Sequence, residues 1–361
     1  MLVLHVVSNN GVGGVERHVQ TLAAAQRALG TRVEILCPAR DHFVTEAESL
    51  GLSVHIDPAL APGTDAGDTA LAAARSAFLR HLRRLTPDVV HAHSRRAGTV
   101  AMASAISLGI PAVYTHHSLD VSPFLQAEHV LGRRYPIVAV STASATLLRQ
   151  RLGPDADVRV VPNGIPADSP PMQTHDLPPR PSLAVVGRLT PEKGVDQAII
   201  ALRHLVDHQG AEQAPALHIF GRGTEERTLR LLCQHLDLTG RVHFHGSRPG
   251  VLAIRLPVNA LVIPSRSESA PLVLLEAMRS RIPVVATDVG GIGDVLPSDR
   301  YGVVVPAGSP EELARGILPV LADPERAASR ADAAHERFID EFTADRMALR
   351  TLDLYKETLH A

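Results

Sequence analysis

Short runs of apolar and β-branched residues alternate with longer helical stretches along this chain, and they do so in two successive series. The first series is Val3–Val7, Arg32–Leu36, Ser53–Ile56, Val89–His91, Ala112–Thr115, Ile137–Val140 and Val158–Val161. Helical patterns such as Val15–Leu29, Thr69–Leu85 and Thr142–Leu152 lie between these runs. The second series opens at Leu183–Val186 and continues through Leu217–Phe220, Val242–His245, Ala260–Ile263, Val284–Ala286 and Gly302–Val305. Apolar strands separated by helices predict parallel sheets built from βαβ units. Two series predict two doubly wound α/β domains, and 361 residues suffice for two buried cores.

Between the series the composition shifts. Pro162, Pro166, Pro170, Pro171, Pro178, Pro179 and Pro181 place seven prolines within about twenty residues, which neither a helix nor a central strand accommodates. The expected organisation is therefore a domain over 1–165, a Pro-rich linker over 166–181 and a second domain over 182–340. A helix over 341–361 follows no further strand and is expected to pack back on the first domain.

Charge and cysteine content narrow the function classes. Lys and Arg number 36 against 38 Asp and Glu, a net charge of −2, too balanced for a protein that holds nucleic acid by neutralising phosphates. No apolar run approaches the ~18 residues that span a bilayer, and the start MLVLHVV lacks the features of a secretory signal. Cys37 and Cys233 alone cannot form a disulfide scaffold and suit a reducing, cytoplasmic setting. All but two of the 36 basic residues are Arg; the lysines are Lys193 and Lys356.

In open parallel sheets ligands bind at the carboxyl ends of strands, so the loops there carry the chemistry. The first is Ser8–Glu16, whose glycines let backbone N–H groups approach a phosphate or a sugar. It departs from the dinucleotide pattern G-x-G-x-x-G, which requires glycine where Glu16 stands, although Glu34 lies where a ribose-binding acid would. The second is Gly187-Arg188-Leu189-Thr190-Pro191-Glu192-Lys193-Gly194. Pro191 suits a helix start, and Arg188 and Lys193 can converge on one polyanion. The third is Ser265–Met278, where Glu268 and Glu276 stand eight residues apart, a little over two helical turns. Free N–H groups near Pro271–Val273 can meet a phosphate there, and Glu276 can accept hydrogen bonds from a ribose diol. The fourth is Tyr114–Asp120, which places His116 and His117 at a strand end. His91 and His93 also end a strand with both rings on one face. With no third ligand apparent and no cysteine nearby, no zinc site is expected there, nor at His243 and His245.

Together these motifs resemble the retaining glycosyltransferases of the family-four type. Gly187-Arg188, Glu192-Lys193-Gly194, Phe220-Gly221-Arg222-Gly223, Glu268 with Glu276, and Gly290-Gly291 occur in the family's order. Gly-Val-Gly-Gly-Val-Glu-Arg-His and Thr-His-His-Ser-Leu-Asp match in the first half, and the likeness covers essentially the whole chain. It implies the GT-B fold of two facing Rossmann-like domains with an interdomain cleft, acceptor on the N-terminal side and donor on the C-terminal side. It also implies transfer, with retention, from a nucleoside-diphosphate sugar, UDP favoured and GDP possible, to a hydroxyl acceptor in glycan, glycolipid or secondary-metabolite synthesis. Arg188 and Lys193 would hold the diphosphate and stabilise the leaving group. Glu276 would bind ribose, and Glu268 would lie near the donor sugar. Ala270, Pro271, Leu272 and Val273 would line the phosphates, with Gly13 and Gly14 approaching from the other domain. The nucleobase would lie near Gly221, Arg222, Ser247 and Arg248. His117 matches the family's active-site histidine, with Asp120, His116 and Glu16 on the acceptor side. No cofactor and no essential metal are expected, because protein cations replace the ion. Asp155-Ala156-Asp157 reads as a polar turn. The chain departs from the family at Ala270 or Pro271, where Gly is frequent, and at Asp294, where Glu is frequent; neither change removes a charge.

Competing readings are a UDP-sugar 2-epimerase of the same fold, a dinucleotide-dependent oxidoreductase and a silent sugar-nucleotide sensor. The first lacks a comparable acid/base set, the second lacks its third glycine, and the retained donor-site charges weigh against the third. Arg75, Arg80, Arg83 and Arg84 beside Leu71, Phe78, Leu79 and Leu82 would allow peripheral contact with an anionic membrane. A sheet-packed helix with solvated arginines accounts for the same pattern.

Overall fold

The computed structural model describes residues 1–8, 13–61, 68–93, 95–120, 135–168, 181–248 and 258–360. Prolines 170, 171, 178 and 179 of the expected linker lie outside them. The chain divides into two compact units, Met1–Pro166 with Phe342–Ala361, and Ala167–Glu341.

The first unit holds strands β1 (Leu2–Val6), β2 (Arg32–Cys37), β3 (Ser53–Ile56), β4 (Val89–Ala92), β5 (Ala112–His116), β6 (Ile137–Ala139) and β7 (Val158–Val160). They lie in the order β3-β2-β1-β4-β5-β6-β7, paired in parallel. Around them run α1 (Gly14–Ala28), α2 (His42–Ser49), α3 (Asp68–Leu85), α4 (Arg95–Ser107) and α5 (Thr142–Leu152). Asp41 caps α2 by accepting from the Val44 N–H, and Ser141 caps α5 by accepting from Ser144. Successive strand residues point to opposite faces, and in β1, β4, β5 and β6 both faces are buried. Leu4, Val6 and Val90 pack with Phe78, Leu82 and Leu148. Val3, Val89 and Val113 pack with Leu22 and with Met347, Ala348 and Tyr355 of the C-terminal helix Ala344–His360. The apolar face of α3 is thus taken up by the core, and Arg75, Arg80, Arg83 and Arg84 stand in solvent. No helix among the described residues is long and apolar enough to cross a membrane.

The second unit holds β8 (Ser182–Val186), β9 (Ala216–Phe220), β10 (Val242–Gly246), β11 (Ala260–Ile263), β12 (Val284–Thr287) and β13 (Val303–Val305). Their order is β10-β9-β8-β11-β12-β13, again parallel. Its helices are α6 (Val195–Gln209), α7 (Glu226–His235), α8 (Leu272–Arg279), α9 (Ile292–Val295), α10 (Pro310–Ala322) and α11 (Pro324–Glu341). In both sheets the order reverses beside the first strand, between β1 and β4 and between β8 and β11. The two doubly wound parallel sheets expected from the apolar runs are present, with strand positions matching to within one or two residues.

The chain leaves the first unit after Pro162-Asn163-Gly164-Ile165 and, on its return at Phe342, pairs with that segment. The Ile165 N–H donates to Phe342 O (3.1 Å), and the Ala344 N–H donates to Ile165 O (2.8 Å). The backbones pass so closely that a Cβ on Gly164 would lie 2.3 Å from Thr343 O, an atom that cannot swing aside. We expect Gly164→Ala to lower stability by about 1–3 kcal/mol, seen as a reduced urea midpoint. Gly240→Ala, where nothing lies within 4 Å, should leave the midpoint nearly unchanged.

Candidate active site

The loops that follow β8 and β11 flank the point where the second sheet reverses, the usual ligand position in such sheets. Lys193 comes from the first loop and Glu268 from the second. They meet as an ion pair with Nζ 2.6 Å from Oε1, the lysine side chain 23% exposed and the glutamate 7%. The Ser265 hydroxyl donates to the same Oε1 at 2.8 Å. The loops are joined by backbone as well. The Arg266 and Ser267 N–H groups donate to Glu192 O (2.8 and 3.3 Å), and the Gly291 N–H, after β12, donates to Glu268 O (3.2 Å). The Arg266 guanidinium donates to both carboxylate oxygens of Asp196 (2.7 and 2.6 Å) and to Pro191 O (3.0 Å). Gly194 follows the short 3₁₀ turn Pro191–Lys193 at φ +61°, and a Cβ there would lie 2.1 Å from Pro264 O. Only glycine allows that approach.

The other residues expected on the donor side lie on further elements of the second unit. Arg188 is 70% exposed and pairs with Glu192 at 3.2 Å rather than joining Lys193. Glu276 is buried on α8. Pro271 precedes α8 without a side-chain cap, and Ala270, Leu272 and Val273 are half-buried beside it. The Gly221 N–H donates to Gly246 O at 2.8 Å, and Arg222 lies over Gly246. Ser247 and Arg248 are exposed beyond β10.

In the first unit Gly13 and Gly14 open α1, while Asn9–Val12 lie outside the described residues. The buried Glu16 carboxylate folds back on Gly13, where a Cβ would meet its Oε2 at 2.6 Å. Burial pushes the Glu16 pKa up. Glu34 is engaged by His55 at 2.8 Å. The Asp120 N–H donates to Ser118 Oγ (2.9 Å), and Ser144 Oγ donates to Ser118 O (3.1 Å), which ties this loop to α5. His116 turns toward Tyr114, whereas the next ring, His117, lies edge-on to His18 at 4.6 Å. His18 and His93 stand 5.5 Å apart, and His93 and His117 5.7 Å. Behind them His5 Nδ1 is 2.8 Å from His93 Nε2 and His5 Nε2 is 2.8 Å from Gln26 Oε1. His91 lies 2.5 Å from the Tyr355 hydroxyl and 2.7 Å from Thr115 Oγ1.

Known proteins resemble this chain in both halves. The model described as Glycosyltransferase Family 4 matches residues 12–169, and that described as Glycosyl transferases group 1 matches 173–337. Glycogen synthase of Mycobacterium tuberculosis is 30% identical, the match covering 95% of this chain and 91% of that one. Alpha-maltose-1-phosphate synthase of Mycolicibacterium smegmatis is 30% identical, covering 96% and 95%. The chain is a GT-B glycosyltransferase of the family-four type. Among solved structures, Anabaena HepE in complex with UDP-glucose superposes with a TM-score of 0.83 at 20% identity, covering 99% of this chain and all of that one.

The glycosyltransferase thus brings Lys193 and Glu268 together, with Ser265, at the start of the same loop and given no role by the sequence, as a partner. His91 and His93, which lacked a visible third ligand in the sequence, have His5, His18 and His117 beside them. Those neighbours come from β1, α1 and the end of β5, so only the topology reveals them.

A second histidine set lies in the second unit. His218 Nδ1 is 2.9 Å from His245 Nε2, His218 stacks on His243 and His245, and His245 stacks on Phe220. Burial, reinforced by His243 and His245, pushes the His218 pKa down to about 4. As pH falls from about 6.5 toward 4, the unfolded chain takes up this proton before the folded one does, so stability is lost across that window. We expect His218→Gln to lose less stability than wild type between pH 7 and 5, by on the order of 1 kcal/mol, in urea unfolding at each pH.

Proposed function

We propose that this enzyme transfers a hexose, with retention of anomeric configuration, from a nucleoside-diphosphate sugar to a hydroxyl acceptor. A UDP-sugar is the favoured donor and a GDP-sugar the second choice. The Lys193–Glu268 pair carries this reading. An ammonium held at a fixed point by a largely buried carboxylate needs no reorganisation when a diphosphate arrives and charge develops on the leaving group. Arg188, exposed and paired among the described residues with the surface carboxylate of Glu192, can swing onto the same phosphates. The uncapped start of α8 adds the N–H groups of Leu272 and Val273. Because protein cations and helix amides supply this positive charge, we assign no divalent ion to the diphosphate. Glu276 takes the ribose, and Arg222, Ser247 and Arg248 border the nucleobase. The complex of HepE with UDP-glucose supports a UDP-sugar for this fold.

In the first unit we assign His117 to the transfer step, with Asp120, His116 and Glu16 on the acceptor side. A neutral imidazole suits hydrogen bonding to a sugar, and burial, with His18 and His116 adding, holds the His117 pKa well below its ordinary value.

Lys193→Ala should weaken binding of nucleoside diphosphate about ten- to hundredfold, the scale of a lost hydrogen bond to a charged group, and should depress transfer. His117→Ala should suppress transfer while nucleotide binding persists. Calorimetry with UDP, GDP and ADP measures the first effect. Slow hydrolysis of nucleotide sugars, with NMR of the released anomer, measures the second and reports retention. Wild-type affinity in Lys193→Ala would overturn the donor assignment.

A further inference from the structure

We propose that His18 Nε2, His93 Nδ1 and His117 Nε2 in the first unit form a site for one divalent transition-metal ion, Zn²⁺, Co²⁺, Ni²⁺ or Cu²⁺. One nitrogen from each ring lies within 4.8 Å of the other two. Bonds of ~2.0 Å in tetrahedral geometry require about 3.3 Å between nitrogens, so small ring rotations close the site. All three nitrogens are buried and have no hydrogen-bond partner among the described residues. His18 and His93 are only 3% and 1% exposed. Leaving three imidazole nitrogens dry and unpaired is costly, and a metal ion satisfies all of them at once.

The tautomers follow from the surrounding hydrogen bonds. Asn163 Oδ1 lies 2.9 Å from His18 Nδ1 and can only accept, so Nδ1 carries the proton and Nε2 the lone pair. Gln26 Oε1 likewise accepts from His5 Nε2, which leaves His5 Nδ1 to accept from His93 Nε2. His93 Nδ1 is then the unprotonated nitrogen. Ligating histidines are typically held by such a second bond, which sets ring orientation and tautomer. Burial keeps His5 and His18 neutral, with pKa values pushed down to about 4. The neighbouring trio His5, His91 and His93 also clusters, but its nitrogens between them are engaged by Gln26, Tyr355 and Thr115. An all-imidazole set favours Zn²⁺, Co²⁺, Ni²⁺ and Cu²⁺ over Mg²⁺ and Ca²⁺, which prefer oxygen ligands. Three ligands leave a fourth position open. The effect on the enzyme rests on the proposed role of His117 in transfer: an ion there engages His117 and withdraws it, so the site is one of inhibition rather than of diphosphate binding.

The test uses the full chain, without a histidine tag, stripped with a chelator and titrated with Co²⁺ alone. We expect one equivalent to bind saturably with the intense visible bands of four-coordinate cobalt. His18→Gln and His93→Gln should each weaken binding tenfold or more, and Asn163→Ala about 10- to 100-fold through loss of the orienting bond. His218→Gln should bind as wild type. Circular dichroism and urea unfolding of each variant establish that it is folded. Absence of saturable binding, or binding unchanged in folded His18→Gln and His93→Gln, would overturn the site. Cobalt is read without any sugar nucleotide, so this outcome is independent of the donor assignment.

Discussion

A sheet covered by helices on both faces has no polar surface except at its strand ends, and in an all-parallel sheet every carboxyl end points the same way. That constraint organises both units. The central strands are largely apolar because both faces are buried, and most residues able to do chemistry are displaced into the loops that follow β1, β4, β5, β8, β11 and β12. Where the strand order reverses, neighbouring loops diverge and leave room for a ligand. Lys193 and Glu268 meet at such a point because β8 and β11 are adjacent in the sheet although 75 residues apart in the chain.

The fold was legible because this constraint writes itself into composition. An apolar β-branched run bounded by Gly, Pro or Asn is a local signal, and so is the proline-rich break between the two series. The loops that bring Lys193 and Glu268 together were legible for a related reason. Their residues have fixed spacing, and Lys193, one of only two lysines in an arginine-rich chain, stands out. Motif order does not encode which charges pair. Arg188 and Lys193 share a loop, yet the 3₁₀ turn Pro191–Lys193 turns Lys193 toward Glu268, while Arg188 stays with Glu192.

The histidine network was not legible. Its members, His5, His18, Gln26, His91, His93, His117, Asn163 and Tyr355, are contributed by strands, helices, strand-end loops and the segment after β7, with no spacing rule among them. His5 is one residue in an apolar strand, and Tyr355 belongs to a helix beyond the second unit. Reading 91 and 93 as a pair without a third ligand was sound for a local motif and incomplete for a parallel sheet. Every strand end of such a sheet delivers its side chains to the same edge.

The network also shows how a core tolerates so many polar rings. Each buried imidazole must be neutral, because an unpaired buried charge is far more costly than a lost hydrogen bond. A neutral imidazole has one donor and one acceptor, so a chain of them is satisfied only if every proton points the same way along it. Gln26 sets two such directions at once: its oxygen accepts from His5, and its nitrogen donates to the Tyr355 hydroxyl at 3.3 Å. From the first branch the protons order through His5 to His93, and from the second through Tyr355 and His91 to Thr115. The second branch ends on a hydroxyl that can accept. The first ends on His93 Nδ1, a lone pair with nothing described to receive. Protonation there would place a charge among His5, His18 and His117, so the terminus is suited to an electron-pair acceptor that brings its own ligands' lone pairs together. The same ordered chain that keeps the core neutral therefore decides which nitrogens are presented at the strand ends.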